Sequence, residues 1–215
     1  MPIEIIHYNS KYYDEVITIF QDRKIQQVWH GLKNAWKSTK IIAYFLLSVF
    51  LAPISSELSF LYLISLCSIH AYSVFQIFYG YGQTHMKTDM KDKNLIFWTT
   101  KPNAYLLALV DNQVVGMVAF QHIDSQVAEL NRMTVLQNYR RLGIARQLTE
   151  KCLEMLKNHG YQKVVLTTTN LNFEAHGFYT KMGFQHTRNL KFGSFLSDYF
   201  SGVYILEYVL EFGSD

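Results

Sequence analysis

The chain has 215 residues, 49% of them apolar and only 17% charged, with 15 Phe, 15 Tyr, 11 Gly and 3 Pro. That is one domain's worth of well-stocked core material, and it excludes a disordered, collagen-like or low-complexity chain. A net charge of +3 is too small to make a nucleic-acid surface, and two cysteines, Cys67 and Cys152, give neither a disulfide framework nor metal spacing.

Residues 3–8 (I-E-I-I-H-Y) predict a short strand, after which Ser10 can cap a helix carrying Tyr13, Val16, Ile17 and Phe20 at helical spacing. Then the charges stop. Between Lys40 and Lys87 lie 46 residues, of which Glu57 alone carries a formal charge. About 20 apolar residues in a helix cross a bilayer core of roughly 30 Å. The stretch from Leu58 to Gly82 is long enough, whereas 41–56 is short and ends at a turn marked by Pro53, Ser55, Ser56 and Glu57. The pattern predicts a hydrophobic helical hairpin over about 41–82, dipping into or through a membrane, with lipid around it. Arg23, Lys24, Lys33, Lys37 and Lys40 precede the hairpin and Lys87, Lys91, Lys93 and Lys101 follow it, while its connection near 53–60 has no Lys or Arg. Both flanks are therefore expected in the cytosol. Some 40 mostly polar residues before the first apolar run argue against a signal peptide.

Residues 87–103 are polar and irregular. Y-L-L-A-L-V (105–110) and V-V-G-M-V-A-F-Q-H-I (114–123) flank a tight Asp-Asn turn and predict two paired strands. A further strand is expected over Val127–Val135. Ile144, Leu148, Cys152 and Met155 recur at helical spacing up to Gly160. K-V-V-L-T-T-T (163–169) reads as a buried strand, Asn172–Met182 as a helix ended by Gly183, and Phe184–Arg188 and Val203–Phe212 as two last strands. The expected fold class is α/β (α+β). A mixed central sheet of six to seven strands is flanked by helices, in a single domain over 1–215 with the hairpin inserted early.

The chemistry is concentrated in two motifs. R-R-L-G-I-A, Arg140 to Ala145, follows a strand and opens a helix. Gly143 and the small Ala145 let backbone approach a ligand, and the unpaired amides and dipole of a first helical turn suit a diphosphate. Arg140 and Arg141 add positive charge. Downstream, N-F-E-A-H-G-F-Y-T-K-M-G-F sets Asn172, Ala175, Tyr179, Gly183 and Phe184 at relative positions 0, 3, 7, 11 and 12. In this order the two motifs resemble the GNAT acetyltransferase superfamily over about residues 95–190. The double apolar segment, T-D-M at 88–90, V-V-G-M-V at 114–118 and Y-R-R-L-G-I-A resemble, more narrowly, the camello-type membrane-anchored N-acetyltransferases. That group includes cysteine-S-conjugate N-acetyltransferase and N-acetylaspartate synthase.

The resemblance implies the GNAT fold, acetyl-CoA as acetyl donor, and an endoplasmic-reticulum membrane with the catalytic domain in the cytosol. It implies that the diphosphate rests on the stretch Arg140, Arg141, Leu142, Gly143, Ile144, Ala145 and Arg146, and that backbone at Met133 and Val135 aligns the pantetheine. Asn172 would bond the cofactor arm. Tyr179 would protonate the departing thiolate as general acid, and Glu129 would act as general base. His122 and His176 are lesser candidates. No His, Cys, Asp and Glu grouping has metal spacing, so no metal is expected, and nothing in the sequence sets an oligomeric state. The acceptor is expected to be a small-molecule amine held on the far side of the wedge from CoA, between the early helix, the loop around Lys87 to Asn103 and the aromatic-rich stretch 191–204. An amino acid bearing a hydrophobic group, such as a cysteine S-conjugate, suits those walls. Free aspartate would need convergent arginines, for which Arg132 and Arg188 are candidates. A lysine of a membrane or secretory-pathway protein is the alternative acceptor, and a non-catalytic CoA-binding membrane scaffold is the alternative of a different class.

Overall fold

The computed structural model describes residues 2–35, 39–51, 53, 55–87, 99–191 and 203–213. The strands are β1 (Glu4–His7), β2 (Ala104–Val110), β3 (Gln113–His122), β4 (Val127–Val135), β5 (Lys163–Thr169), β6 (Gln185–Leu190) and β7 (Ile205–Glu211). They form one sheet in the order β1-β2-β3-β4-β5-β7-β6, antiparallel throughout except at β4 and β5. The mixed seven-stranded sheet predicted above is therefore present. The β2–β3 turn is the expected one, with Asp111 and Asn112 both at positive φ, 49° and 62°, as a two-residue hairpin requires.

Among the described residues five helices accompany the sheet: α1 (Tyr13–Ala35), α2 (Thr39–Leu51), α3 (Ser56–Lys87), α4 (Ile144–Asn158) and α5 (Phe173–Lys181). One face of the sheet is covered by α4, whose Ile144, Leu148, Cys152 and Leu156 pack on Leu106, Val118, Ala128 and Leu130, with Tyr179 of α5 in the same core. Cys152 lies wholly inside, and burial pushes its thiol far up, so it serves as a packing residue. The other face is covered by α1, with Val16, Ile19 and Phe20 packed on Tyr105, Leu107, Leu109 and Met117. A carboxylate pins that helix to the sheet: Glu15 accepts from the Val114 amide at 2.8 Å.

Two local readings are corrected. The cap before α1 is Asn9, whose Oδ1 accepts from Lys11 N at 3.0 Å, because Ser10 already belongs to a 3-10 turn, Ser10–Tyr12. The helix then runs on to Ala35, well past Phe20, and its second half packs against α3 through Val28, Leu32, Val74 and Ile77. The expected hairpin is built by α2 and α3, joined around Pro53 and clasped by Ser48 and Ser59, whose hydroxyls are hydrogen-bonded across the pair. Its bounds, 39–87, are wider than the apolar run that announced it. The loop at 88–98 and the aromatic segment 192–202, both expected near the acceptor, lie outside the described residues.

Candidate active site

β4 and β5 pair only at Val127↔Lys163, Ala128↔Val164 and Glu129↔Val165, although both strands continue to Val135 and Thr169. What drives them apart is an extra residue in β4. Its register with β3 jumps from Met117↔Thr134 to Ala119↔Asn131, and Arg132 within that bulge has φ 59°. A bulge bends its strand and sharpens its twist. The resulting wedge encloses a cavity of about 240 Å³ lined by Leu130 to Thr134, Thr167 to Thr169, Asn172 and Tyr179.

At the outer end of β4 lies the glycine-containing bend. Arg141 and Gly143 both take positive φ, 64° and 80°, and Gly143 caps α4 with no side chain over the helix end. The helix's own hydrogen bonds begin with Gln147 N donating to Gly143 O at 3.0 Å. The amides of the first turn thus point outward into a groove lined by Arg141, Gly143, Ile144, Ala145 and Arg146 on one side and Phe173, Gly177 and Lys181 of α5 on the other. A Cβ on Gly143 would meet nothing closer than Gln147 Nε2 at 4.0 Å, so the space above the bend is open. Open space, exposed amides and a helix N-terminus fit a diphosphate.

Arg140 also lines this groove, but its side chain is held by protein partners. Its Nε donates to Val135 O at 3.2 Å, its guanidinium donates to Gln26 Oε1 at 2.7 Å, and Glu174 lies 3.6 Å away. It braces the end of β4 against α1 and α5. Leu142 is half exposed and outside the groove lining. Met133 lines the wedge and Val135 the groove, so the two backbone positions join one site to the other. Asn172 precedes α5, and its Nδ2 donates to Thr168 Oγ1 at 3.2 Å.

Tyr179 is buried, with Phe184 at 5.7 Å and Tyr208 at 6.2 Å between ring centroids, yet it lines the wedge. Burial pushes its hydroxyl up to about 12, against a smaller opposing pull from the Arg23 guanidinium, so it stays protonated at physiological pH. Glu129 sits at the last β4–β5 pair, at the point of divergence, and does not itself line the cavity. Burial raises its carboxyl above the ordinary carboxylate range; a hydrogen bond from Asn131, which does line the cavity, opposes this, and Glu207 adds to it.

Of the two arginines considered for an anionic acceptor, Arg132 lines the wedge, while Arg188 is held by Glu207 through bonds of 2.9 and 2.8 Å. Arg188 therefore does not converge with Arg132; Arg23 of α1 does, in the same cavity. Sequence reasoning missed Arg23, although Phe20, Arg23 and Gln27, all cavity-lining, share one helical face at i, i+3 and i+7. It also missed Ile77, which α3 contributes to the cavity wall. His176 Nε2 donates to Thr169 O at 2.9 Å, and His122 Nδ1 is hydrogen-bonded to the Tyr161 hydroxyl at 2.8 Å; neither histidine lines the wedge. Among the described residues no group of His, Cys, Asp and Glu could hold a metal ion.

The acetyltransferase (GNAT) family model matches residues 71–184. N-acetylaspartate synthetase of Homo sapiens is 30% identical over 173 residues, covering 78% of this chain and 57% of that protein. The Xenopus tropicalis enzyme of the same name is 28% identical over 167 residues, 77% of this chain and 62% of that one. A Xenopus laevis protein named probable N-acetyltransferase camello is 23% identical over 190 residues, 85% of this chain and 86% of that one. The chain spans about three fifths of the length of the N-acetylaspartate synthetases it matches. Among solved structures, an acetyltransferase from Streptococcus agalactiae superposes with a TM-score of 0.54 over 98% of both chains at 17% identity. A Bacillus anthracis acetyltransferase, solved with acetyl coenzyme A, gives 0.51 over 54% of this chain and 67% of that one at 24% identity. These structural likenesses concern the fold.

Proposed function

Since the chain belongs to the acetyltransferase (GNAT) family, we propose that it moves the acetyl group of acetyl-CoA onto the amino group of a small amino acid. The observation that carries this reading is the parting of β4 and β5 beyond Glu129, with Tyr179 inside the wedge and the amide-lined bend at its mouth. The amides of Gly143 to Arg146 would hold the diphosphate, backbone at Met133 and Val135 the pantetheine, and Asn172 the arm. When bound, acetyl-CoA supplies a thioester carbonyl that the acceptor nitrogen attacks, forming a C–N bond as the C–S bond breaks. Glu129, reaching the wedge through Asn131, takes the proton that nitrogen loses, and its raised carboxyl suits a base working near neutral pH. Tyr179 delivers a proton to the departing sulfur.

Two guanidiniums, Arg23 and Arg132, in one small cavity favour an acceptor with carboxylates, and an acidic amino acid such as aspartate is the first choice. The apolar walls given by Phe20, Ile77 and Ile205 support a second reading, a cysteine S-conjugate, whose own carboxylate would meet the same arginines. The α2–α3 hairpin would anchor the enzyme in a membrane. Within its 22-residue Ser56–Ile77 stretch an 18-residue window reaches a mean hydropathy of 1.6 with only 22% of that window buried, and Ile42–Leu51 is a shorter apolar helix beside it. Flanking lysines favour the catalytic domain on the cytosolic side, and the family resemblance favours the endoplasmic reticulum.

The test is acetyl transfer by the detergent-solubilised full chain to aspartate, glutamate, S-benzylcysteine and a lysine peptide. Aspartate should be acetylated best, and Arg23→Ala or Arg132→Ala should raise its KM about tenfold or more while leaving that of acetyl-CoA within about twofold. Acetyl-CoA binding without transfer to any amine would overturn the reading in favour of a scaffold.

A further inference from the structure

We propose that a girdle of aromatic side chains, Trp29 on α1 with Tyr72, Phe75 and Tyr79 on α3, seats the catalytic domain in the headgroup layer of a bilayer and holds the mouth of the acceptor wedge at that surface. This rests on the membrane-anchored reading above and goes beyond it, because it fixes a depth and adds a second helix to the contact.

The outward face of α3 changes chemistry along its length. Near its start the exposed large side chains are Leu58, Phe60, Leu61 and Ile64, all hydrocarbon, with a single tyrosine, Tyr62, less exposed among them. Toward its end the exposed residues are Tyr72, Phe75 and Tyr79; the last two rings stack at 5.2 Å, and the Tyr72 hydroxyl is hydrogen-bonded to Gln76. Aromatic rings with a polar end concentrate where hydrocarbon gives way to headgroups. The opposite face of those same turns, Val74 and Ile77, is buried against Val28 and Leu32 of α1. That contact sets the level of the neighbouring Trp29, which is 69% exposed, a large apolar surface for an aqueous helix. Ile25, one turn earlier on the same face, is 59% exposed, and Lys33, one turn later, is exposed as well, offering a cation to lipid phosphate.

The lengths agree. From Ser56 a helix rises about 24 Å to Tyr72 and about 35 Å to Tyr79, at 1.5 Å per residue, and these values bracket a hydrocarbon core of about 30 Å. Ile77, between Phe75 and Tyr79, lines the wedge. A girdle at this level therefore brings the cavity to the membrane surface, so an acceptor enters from the interfacial layer.

Trp29 reports its own depth once Trp36 and Trp98 are replaced by Phe in the full chain, reconstituted in vesicles of phosphatidylcholine with a minority of phosphatidylserine. Lipid brominated near the headgroup should quench Trp29 emission about twofold, and lipid brominated near the chain ends should quench it less. Stronger quenching by the deeper bromines, or none by either, overturns the girdle. Shielding from aqueous iodide without any lipid quenching also overturns it, and points to a protein partner on this face. If the double replacement fails to fold, Trp29→Ser in the otherwise native chain should remove most of the lipid-quenchable emission, and an unchanged emission overturns the proposal. Flotation separates the two readings. A chain that does not float with vesicles defeats the anchor itself, whereas one that floats with Trp29 unquenched defeats only the girdle.

Discussion

Gly116→Ala tests whether the diphosphate bend is positioned by helix packing. Gly116 lies in β3 beneath the first turns of α4. A Cβ there would stand 3.1 Å from Ile144 Cγ2, 3.2 Å from Leu148 Cδ1 and 3.3 Å from the Thr134 carbonyl oxygen. Two of those neighbours are fully buried side chains of one helix, and the third is backbone of β4. Both side chains are buried in the core under α4, so the expected relief is a lift of the start of α4 by a few tenths of an ångström. Overpacking of this kind costs about 1–3 kcal/mol. For a chain of this size that lowers Tm by about 2–12 °C, at roughly 2–4 °C per kcal/mol. The lifted turn also carries the amides assigned to the diphosphate, so acetyl-CoA affinity should fall about threefold to tenfold, on the order of 1 kcal/mol. Circular-dichroism melting and isothermal titration of the detergent-solubilised chain read the two effects. Ile144→Ala frees the space, and the double variant should lose less stability than the sum of the single ones by about 0.5–3 kcal/mol. Gly116→Ala with unchanged Tm and unchanged affinity would refute the claim that β3 seats the bend.

Other outcomes follow from the same geometry. Tyr179→Phe keeps the ring packing against Phe184 and Tyr208, so acetyl-CoA affinity should hold within about twofold while kcat falls about 10²–10⁴-fold; stopped-flow thiol release measures both, and an unchanged kcat removes the general-acid role. Glu129 works as a base only when deprotonated, and its carboxyl is raised, so the acid limb of the pH–rate profile should lie above the ordinary carboxylate range and vanish in Glu129→Gln. The folded chain favours the protonated form of Glu129, so the stability it lends is present at low pH and lost as pH rises; Glu129→Gln should melt no lower than wild type at neutral pH. Gly143→Ala places a Cβ at φ 80°, costing about 1–2 kcal/mol of backbone strain, and should weaken acetyl-CoA binding in titration, with Gly143→Asn recovering part of the loss.

What the sequence made legible divides along a physical line. Strands, the Asp-Asn turn, the α4 stripe and the bend at Gly143 are local, each set by a period or by one residue's φ preference, and the fold contains all of them. The hairpin was legible because 46 residues with a single formal charge leave few alternatives. The acceptor side was legible only as a set of elements, the early helix among them, and its individual residues were not, because it is assembled from parts distant in the chain. Arg188 looked as good a candidate as Arg132 until register placed Glu207 opposite it, where its Nε and Nη2 are paired with the Glu207 carboxylate away from the wedge. Arg23 is ordinary in a polar stretch of α1 and becomes a site residue only because the β4 bulge at Arg132 opens the wedge toward that helix. An extra residue in one strand thus does two things at once. It parts β4 from β5 to admit a thioester arm, and it turns Arg132 toward Phe20, 5.8 Å from its ring, on the helix that also carries Arg23. If the bulge couples the two, deleting one residue between Asn131 and Thr134 should abolish acetyl-CoA binding and acceptor selectivity together, whereas Arg23→Ala should affect the acceptor alone.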